Sequence, residues 1–152
     1  MIRDLDSGKA IAMVQGLLTM ILDVGTRGGW QWKCEEVREG WTGFCNVVSG
    51  KYLGRDNKGG FCAQASKLKD RESFVLCPQQ AGGYNLFVNN WSSLTPISIF
   101  GRDIRLPSLI EDQSPDAAAR WEFVKVQYDL LSQFIFLKNT PPKPTAFNQC
   151  AN

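Results

Sequence analysis

The sequence predicts an all-β, closed architecture assembled from three like units. Three observations carry this. The tripeptide Ser7-Gly8-Lys9 returns as Ser49-Gly50-Lys51, an offset of 42 residues. The same offset brings Ile2 onto Phe44, Ile11 onto Leu53, Trp32 onto Phe74 and Gly40 onto Gly82; one step further it brings Phe44 onto Leu86 and Gly59 onto Gly101. Short runs of apolar and aromatic residues also alternate with Gly, Asn, Asp and Pro along the first 126 positions, which is the rhythm of strands and tight turns.

The units are expected at about 1–39, 40–81 and 82–126, each with four short strands and all within one domain. In the first, WQWKCEEV alternates, with Trp30, Trp32 and Cys34 on one face of a strand. In the second, strands are expected at 42–47, 51–55, 61–65 and 73–77, with Asp56, Asn57, Gly59 and Gly60 as turn formers that accept positive φ. In the third, WEFVKV places Trp121, Phe123 and Lys125 on one face. Phe123 lies 49 residues beyond Phe74 and is taken as the third counterpart of Trp32 and Phe74; the seven extra residues are assigned to a Ser-Pro loop at 110–118. Pseudo-threefold layers fill a closed barrel, so Trp32, Phe74 and Phe123 are expected inside, as are Ile2, Phe44 and Leu86. Residues 127–152 are expected to form an extension, with a short helix or a last strand at 127–136 and then a Pro-rich tail.

Composition bounds the function classes. At 152 residues there is room for one ordinary domain, and 43% apolar against 21% charged residues is enough to bury a core. A net charge of +2 disfavours partners that need a dense basic field, so no nucleic-acid partner is expected. His is absent, which removes His-based triads, His metal sites and a His pH switch. The longest apolar stretch, 16–22, is too short to span a bilayer, and no membrane partner is expected. Five cysteines without CxxC spacing suit neither a full disulfide framework nor zinc, so no metal and no cofactor are expected. The charged N-terminus lacks an apolar signal core, and a cytoplasmic location is expected; a secreted chain relieved of its leader would read the same.

Twelve strands in three quasi-equal units follow the β-trefoil plan. The run GFCNVVSGKYLGRDNKGG, followed by ESFVL and GGYNL, resembles the repeat of the fascin-like branch of that superfamily. The closing WEFVKV is similar to that of small single-trefoil fungal proteins of unassigned activity. The resemblance spans 2–126. It implies a β-trefoil and leaves function open, because such folds host lectins, actin bundlers, protease inhibitors and cytokines. Fascin resembles four such units in tandem, whereas this chain holds one. The Gln-x-Trp motif of ricin-type lectins is absent; Gln31 sits between Trp30 and Trp32 instead.

The candidate ligand-binding residues are aromatic and amide side chains beside turns. Trp30, Trp41, Tyr84 and Trp91 lie next to Gly-rich or turn segments at the expected unit boundaries, where a ring can stack on a sugar or anchor a protein partner, or plug a barrel end instead. Asn89-Asn90-Trp91 is the best single patch, because amides next to a ring suit neutral polyols. Glu35 and Glu36 fall on opposite faces of a strand and cannot work together as an acid/base pair. Cys45 and Cys62 lack a His base, and Lys58, Lys67, Lys69 and Arg71 form a small cationic region whose default is a solvated face.

No catalytic residue is assigned. The expected function is a non-catalytic module that binds a protein or carbohydrate through its rim loops. The alternatives are a small unconventional enzyme using carboxylate, Lys or Tyr chemistry on an apolar metabolite, and a fascin-like protein with actin as partner. Oligomeric state is not legible.

Overall fold

The computed structural model describes residues 1–90, 93–100, 103–105 and 118–126, with Asn90, Phe100 and 103–105 described at the backbone alone. The expected extension at 127–152 and most of the expected loop at 110–118 lie outside them. The first unit holds β1 (Ile2–Asp4), β2 (Ala10–Val14), β3 (Leu17–Ile21) and β4 (Trp32–Arg38). The second holds β5 (Trp41–Asn46), β6 (Tyr52–Arg55), β7 (Phe61–Ala65) and β8 (Phe74–Pro78), with a 3-10 turn at Asp70–Glu72. The third holds β9 (Tyr84–Asn90), β10 (Ser93–Pro96), β11 (Ser98–Phe100), β12 (Asp103–Arg105) and β13 (Trp121–Phe123). Only Ile97 separates β10 from β11, so the thirteen segments are twelve strands in three sets of four. Eleven segments join one antiparallel sheet and β11–β12 form a second ladder. This is the β-trefoil.

The repeat is visible in the register. Ile2, Phe44 and Leu86 each stand on the leading strand of a unit and oppose Phe123, Cys34 and Leu76 in turn. Two residues on, Asp4, Asn46 and Val88 oppose Trp121, Trp32 and Phe74. On the other edge, Thr42 opposes Phe74 and Tyr84 opposes Trp121. Trp121, not Phe123, is therefore the third counterpart of Trp32 and Phe74. Burial agrees: Phe74 and Trp121 are 0% exposed and Trp32 7%, whereas Phe123 is half-buried against the core. The expectation for Phe123 fails by two residues because strand alternation puts Trp121 and Phe123 on one face and cannot tell them apart.

The correction also shortens the insertion. Phe74 to Trp121 is 47 residues, so the third unit carries five extra residues rather than seven. Two of them lie in the turn after β9. In the first two units four residues separate Asp4 from Lys9 and Asn46 from Lys51; in the third, six separate Val88 from its partner Thr95. The remaining three fall between Ile97 and Trp121, which is the stretch where the sequence placed all of them.

The core is one cluster in which Ile2, Phe44 and Leu86 and also Ile11, Leu53 and Ile97 are buried to within 1%. Phe44 packs on Phe74 at 5.4 Å between ring centroids and stacks on Phe123 at 5.6 Å. Close packing fixes two glycines: a Cβ on Gly29 would meet Met13 O at 2.3 Å, and one on Gly43 would meet the Leu68 side chain at the same distance.

Candidate functional site

The turns at the end of the leading strands set the local problem. A barrel strand that ends in a buried polar residue must satisfy that residue before the chain can leave. Asp4 Oδ2 accepts from the Ser7 amide at 2.7 Å and from the Ser7 hydroxyl. Asn46 Oδ1 accepts from the amides of Val48 and Ser49 and from the Ser49 hydroxyl, at 3.0–3.2 Å, while its Nδ2 donates to Gly29 O at 2.8 Å and Gln31 O at 3.3 Å. In both turns the glycine of Ser-Gly-Lys has φ near +67° (Gly8 68°, Gly50 66°) and donates its amide to the backbone oxygen of Asp4 or Asn46 at 2.9 Å. The polar residues of these two turns are thus bound into the fold.

The third turn differs. Val88 stands at the Asp4 and Asn46 position, is 1% exposed, and has no polar group to satisfy. The chain continues as a ladder, with Asn89 opposite Leu94 and Asn90 opposite Ser93. The result is a hairpin two residues longer than its counterparts, with two ladder rungs beyond Val88. Asn89 is half-buried and makes no side-chain hydrogen bond to another described residue. Trp91, the expected ring of this patch, lies outside the described residues.

The other expected site residues fall elsewhere. Trp30 is half-buried in the loop between β3 and β4, and its indole donates to Gly25 O at 3.3 Å. Trp41 starts β5, half-buried, with the Arg38 guanidinium 4.5 Å above its ring across the hairpin. Tyr84 starts β9 and meets Phe123 edge-on at 5.5 Å. Tyr84 and Asn90 terminate opposite ends of one seven-residue strand, about 20 Å apart at the usual rise of ~3.3 Å per residue. The six residues thus divide into separate places: Trp41 and Tyr84 both begin leading strands, at one end of the barrel, and Asn89 and Asn90 close β9 at the other.

A polar cluster that the sequence did not assemble lies on the outer face of β4, β5 and β6. Lys33 opposes Cys45, and Cys45 opposes Tyr52. The Tyr52 hydroxyl donates to Glu35 Oε2 at 2.8 Å, and Lys33 Nζ lies 3.0 Å from Glu35 Oε1. Partial burial pushes the Glu35 carboxyl up, but hydrogen bonds from Lys33 and Tyr52 and the Lys33 charge outweigh it and hold it below its ordinary value. The bond to Glu35, with burial and the carboxylate's charge, pushes the Tyr52 phenol up to about 12. Burial and Glu35 push the Cys45 thiol up; burial with Asp56 and Glu72 does the same to Cys62. Phenol and thiols therefore keep their protons at neutral pH, and the cluster is a cross-strand clamp rather than an activated nucleophile. Its signal in the sequence was the i, i+2 pair Lys33 and Glu35, visible only once β5 and β6 are set in register.

Among the described residues no group of three or more Cys, Asp or Glu side chains is placed to hold a metal ion, and no helix is long and apolar enough to cross a membrane. The four described cysteines, Cys34, Cys45, Cys62 and Cys77, are free thiols.

No family model matches the chain, and no curated protein matches it. Solved structures do. A designed threefold-symmetric protein, ThreeFoil, is 16% identical with a TM-score of 0.64 over 81% of this chain and 96% of its own. An endo-β-galactosidase from Clostridium perfringens that releases GlcNAcα1-4Gal is 18% identical with a TM-score of 0.65 over 83% of this chain, which spans only 32% of the enzyme. The cytolethal distending toxin of Haemophilus ducreyi is 16% identical with a TM-score of 0.50 over 80% of this chain and 89% of its own. At these identities the likeness establishes the β-trefoil fold.

Proposed function

We propose that this β-trefoil is a non-catalytic binding module that holds a carbohydrate at the β9–β10 hairpin, through Asn89 with its chain neighbours Asn90 and Trp91. One observation carries the reading: the buried residue at the base of this hairpin is the apolar Val88, where the other two turns must satisfy Asp4 or Asn46, and the Asn89 amide above it is bonded to no other described residue. A side-chain amide donates and accepts at once, which matches vicinal hydroxyls, and an adjacent indole offers a flat apolar face for a sugar ring. The galactosidase, whose matching part is about a third of its length, supports a sugar ligand over a protein one. Trp30, Trp41 and Tyr84 act elsewhere: the donor of Trp30 is engaged by its own loop, and Trp41 already carries Arg38. Free thiols at four described cysteines support a reducing compartment such as the cytoplasm.

The test is a glycan array on the intact chain, followed by calorimetry on the hits with Asn89→Ala and Trp91→Ala. Each variant is expected to weaken binding by tenfold or more, and Asn89→Ala to keep the melting temperature of the wild type. An array without hits, alongside a pull-down that captures a protein partner through the same hairpin, would replace the carbohydrate with a protein ligand. Co-sedimentation with actin filaments on the same material tests the fascin-like alternative.

A further inference from the structure

We infer that the carbohydrate held at the β9–β10 hairpin is acidic, carrying carboxylate or sulfate groups; this rests on the reading above and sharpens its ligand class. The β8–β9 register Phe74 to Val88, continued one step, sets Ser73 beside Asn89, and the 3-10 turn at Asp70–Glu72 packs against both β6 and β9. The hairpin therefore rises next to the segment 67–72. Lys67, Lys69 and Arg71 are exposed there, and Lys58, also exposed, lies in the turn between β6 and β7 that Arg71 reaches by donating to Asn57 Oδ1.

None of these four cations is ion-paired with another described residue. Four cations face three carboxylates here, two of which are drawn inward onto backbone amides. Asp56 Oδ1 is engaged by the amides of Lys58 and Gly60 at 2.7 and 2.8 Å, and the buried Glu72 accepts from the Lys69 amide, leaving Asp70 as the exposed acid. In the first unit the equivalent segment carries a single cation, the exposed Arg27, and the described arginines Arg3 and Arg120 are paired, Arg3 with Glu122 and Arg120 with Asp6. Unpaired cations flanking amides suit a ligand that is polyhydroxylated and negatively charged, and the charges contribute through steering and a salt-dependent attraction.

The experiment presents matched pairs to the intact protein: sialylated N-glycans and their desialylated forms, and tetragalacturonate and its methyl ester. The Lys67→Glu/Lys69→Glu double variant is compared with wild type. The Lys69 amide that caps the 3-10 turn is kept, so the melting temperature should hold. The expected result is a preference for the charged member of each pair, falling about tenfold in the double variant and with added salt. Equal binding of charged and neutral members, unmoved by the double variant, overturns the acidic ligand and leaves the carbohydrate reading standing. No binding of any glycan, charged or neutral, removes both.

Discussion

In the first and second units a buried polar side chain, Asp4 or Asn46, ends the leading barrel strand and is wrapped by its own Ser-Gly-Lys turn; in the third an apolar Val88 stands there and the ladder pairing continues as far as Asn90 and Ser93. In the inward layer the first and third units differ in a related way. Trp32 donates its indole N–H to Ile11 O at 2.8 Å. Trp121, its counterpart, leaves the N–H without a partner among the described residues, and the matching carbonyl, Ile97 O, accepts from Ala119 N at 3.1 Å instead. Where side-chain satisfaction dictates the backbone, the repeat is kept almost atom for atom. Where it lapses, length and chemistry are free to change.

The sharpest break of this comparison is in the layer itself. Phe74→Ala and Trp121→Ala should each cost about 3–5 kcal/mol in denaturant unfolding, and Phe123→Ala clearly less, because its ring is half-exposed. A larger loss at Phe123 than at Trp121 would restore the two-residue shift in the repeat. Next in size is Asn46→Ala, which takes the Oδ1 acceptor from the Val48 and Ser49 amides and removes the Nδ2 bonds to Gly29 O and Gln31 O, carbonyls that keep the Met13 and Val47 amides; a loss of about 2 kcal/mol is expected by the same measurement. The same deletion at Asn89 should leave stability within about 0.5 kcal/mol, as its amide holds no described partner.

Smaller still is the indole pair. Trp32→Phe removes a satisfied buried donor and strands Ile11 O, with an expected cost near 1–2 kcal/mol beyond the lost volume; Trp121→Phe removes an unsatisfied one and should cost less than its twin. Equal costs would mean that the Trp121 N–H is paired after all. The smallest effect is electrostatic. The Tyr52 phenol is raised, so its bond to Glu35 contributes fully below pH 10 and is lost as pH climbs toward 12; Glu35 is lowered, so its share is present above the ordinary carboxyl value and lost as pH falls through the depressed one. Glu35→Gln should lower the phenolate transition, followed by ultraviolet absorbance, and flatten the acid arm of the melting curve.

Much of the fold was legible because burial repeats with the chain. Ile2, Phe44 and Leu86 are evenly spaced and identically placed, and Ser-Gly-Lys marked two turns built the same way. Phe123 went wrong for a physical reason: a strand hides slips of two, since they preserve the face, and only a partner's register exposes them. The hairpin after Val88 went unread for a related one. Its lengthening is a count of residues between paired positions, and pairing is not written in a single chain. The placement of the expected site residues was legible only in part: Asn89 and Asn90 do share the lengthened hairpin, yet Tyr84, near them in sequence, lies a whole strand away.

The extra pairs after Val88 have an evolutionary and practical meaning. Since the buried Val88 beneath them asks for no hydrogen bond from the chain above it, the rungs Asn89–Leu94 and Asn90–Ser93 form a replaceable tip on a fixed post. New specificities, natural or engineered, are most cheaply installed there, whereas the same exchange in the segments after Asp4 or Asn46 would first have to rebuild the turn.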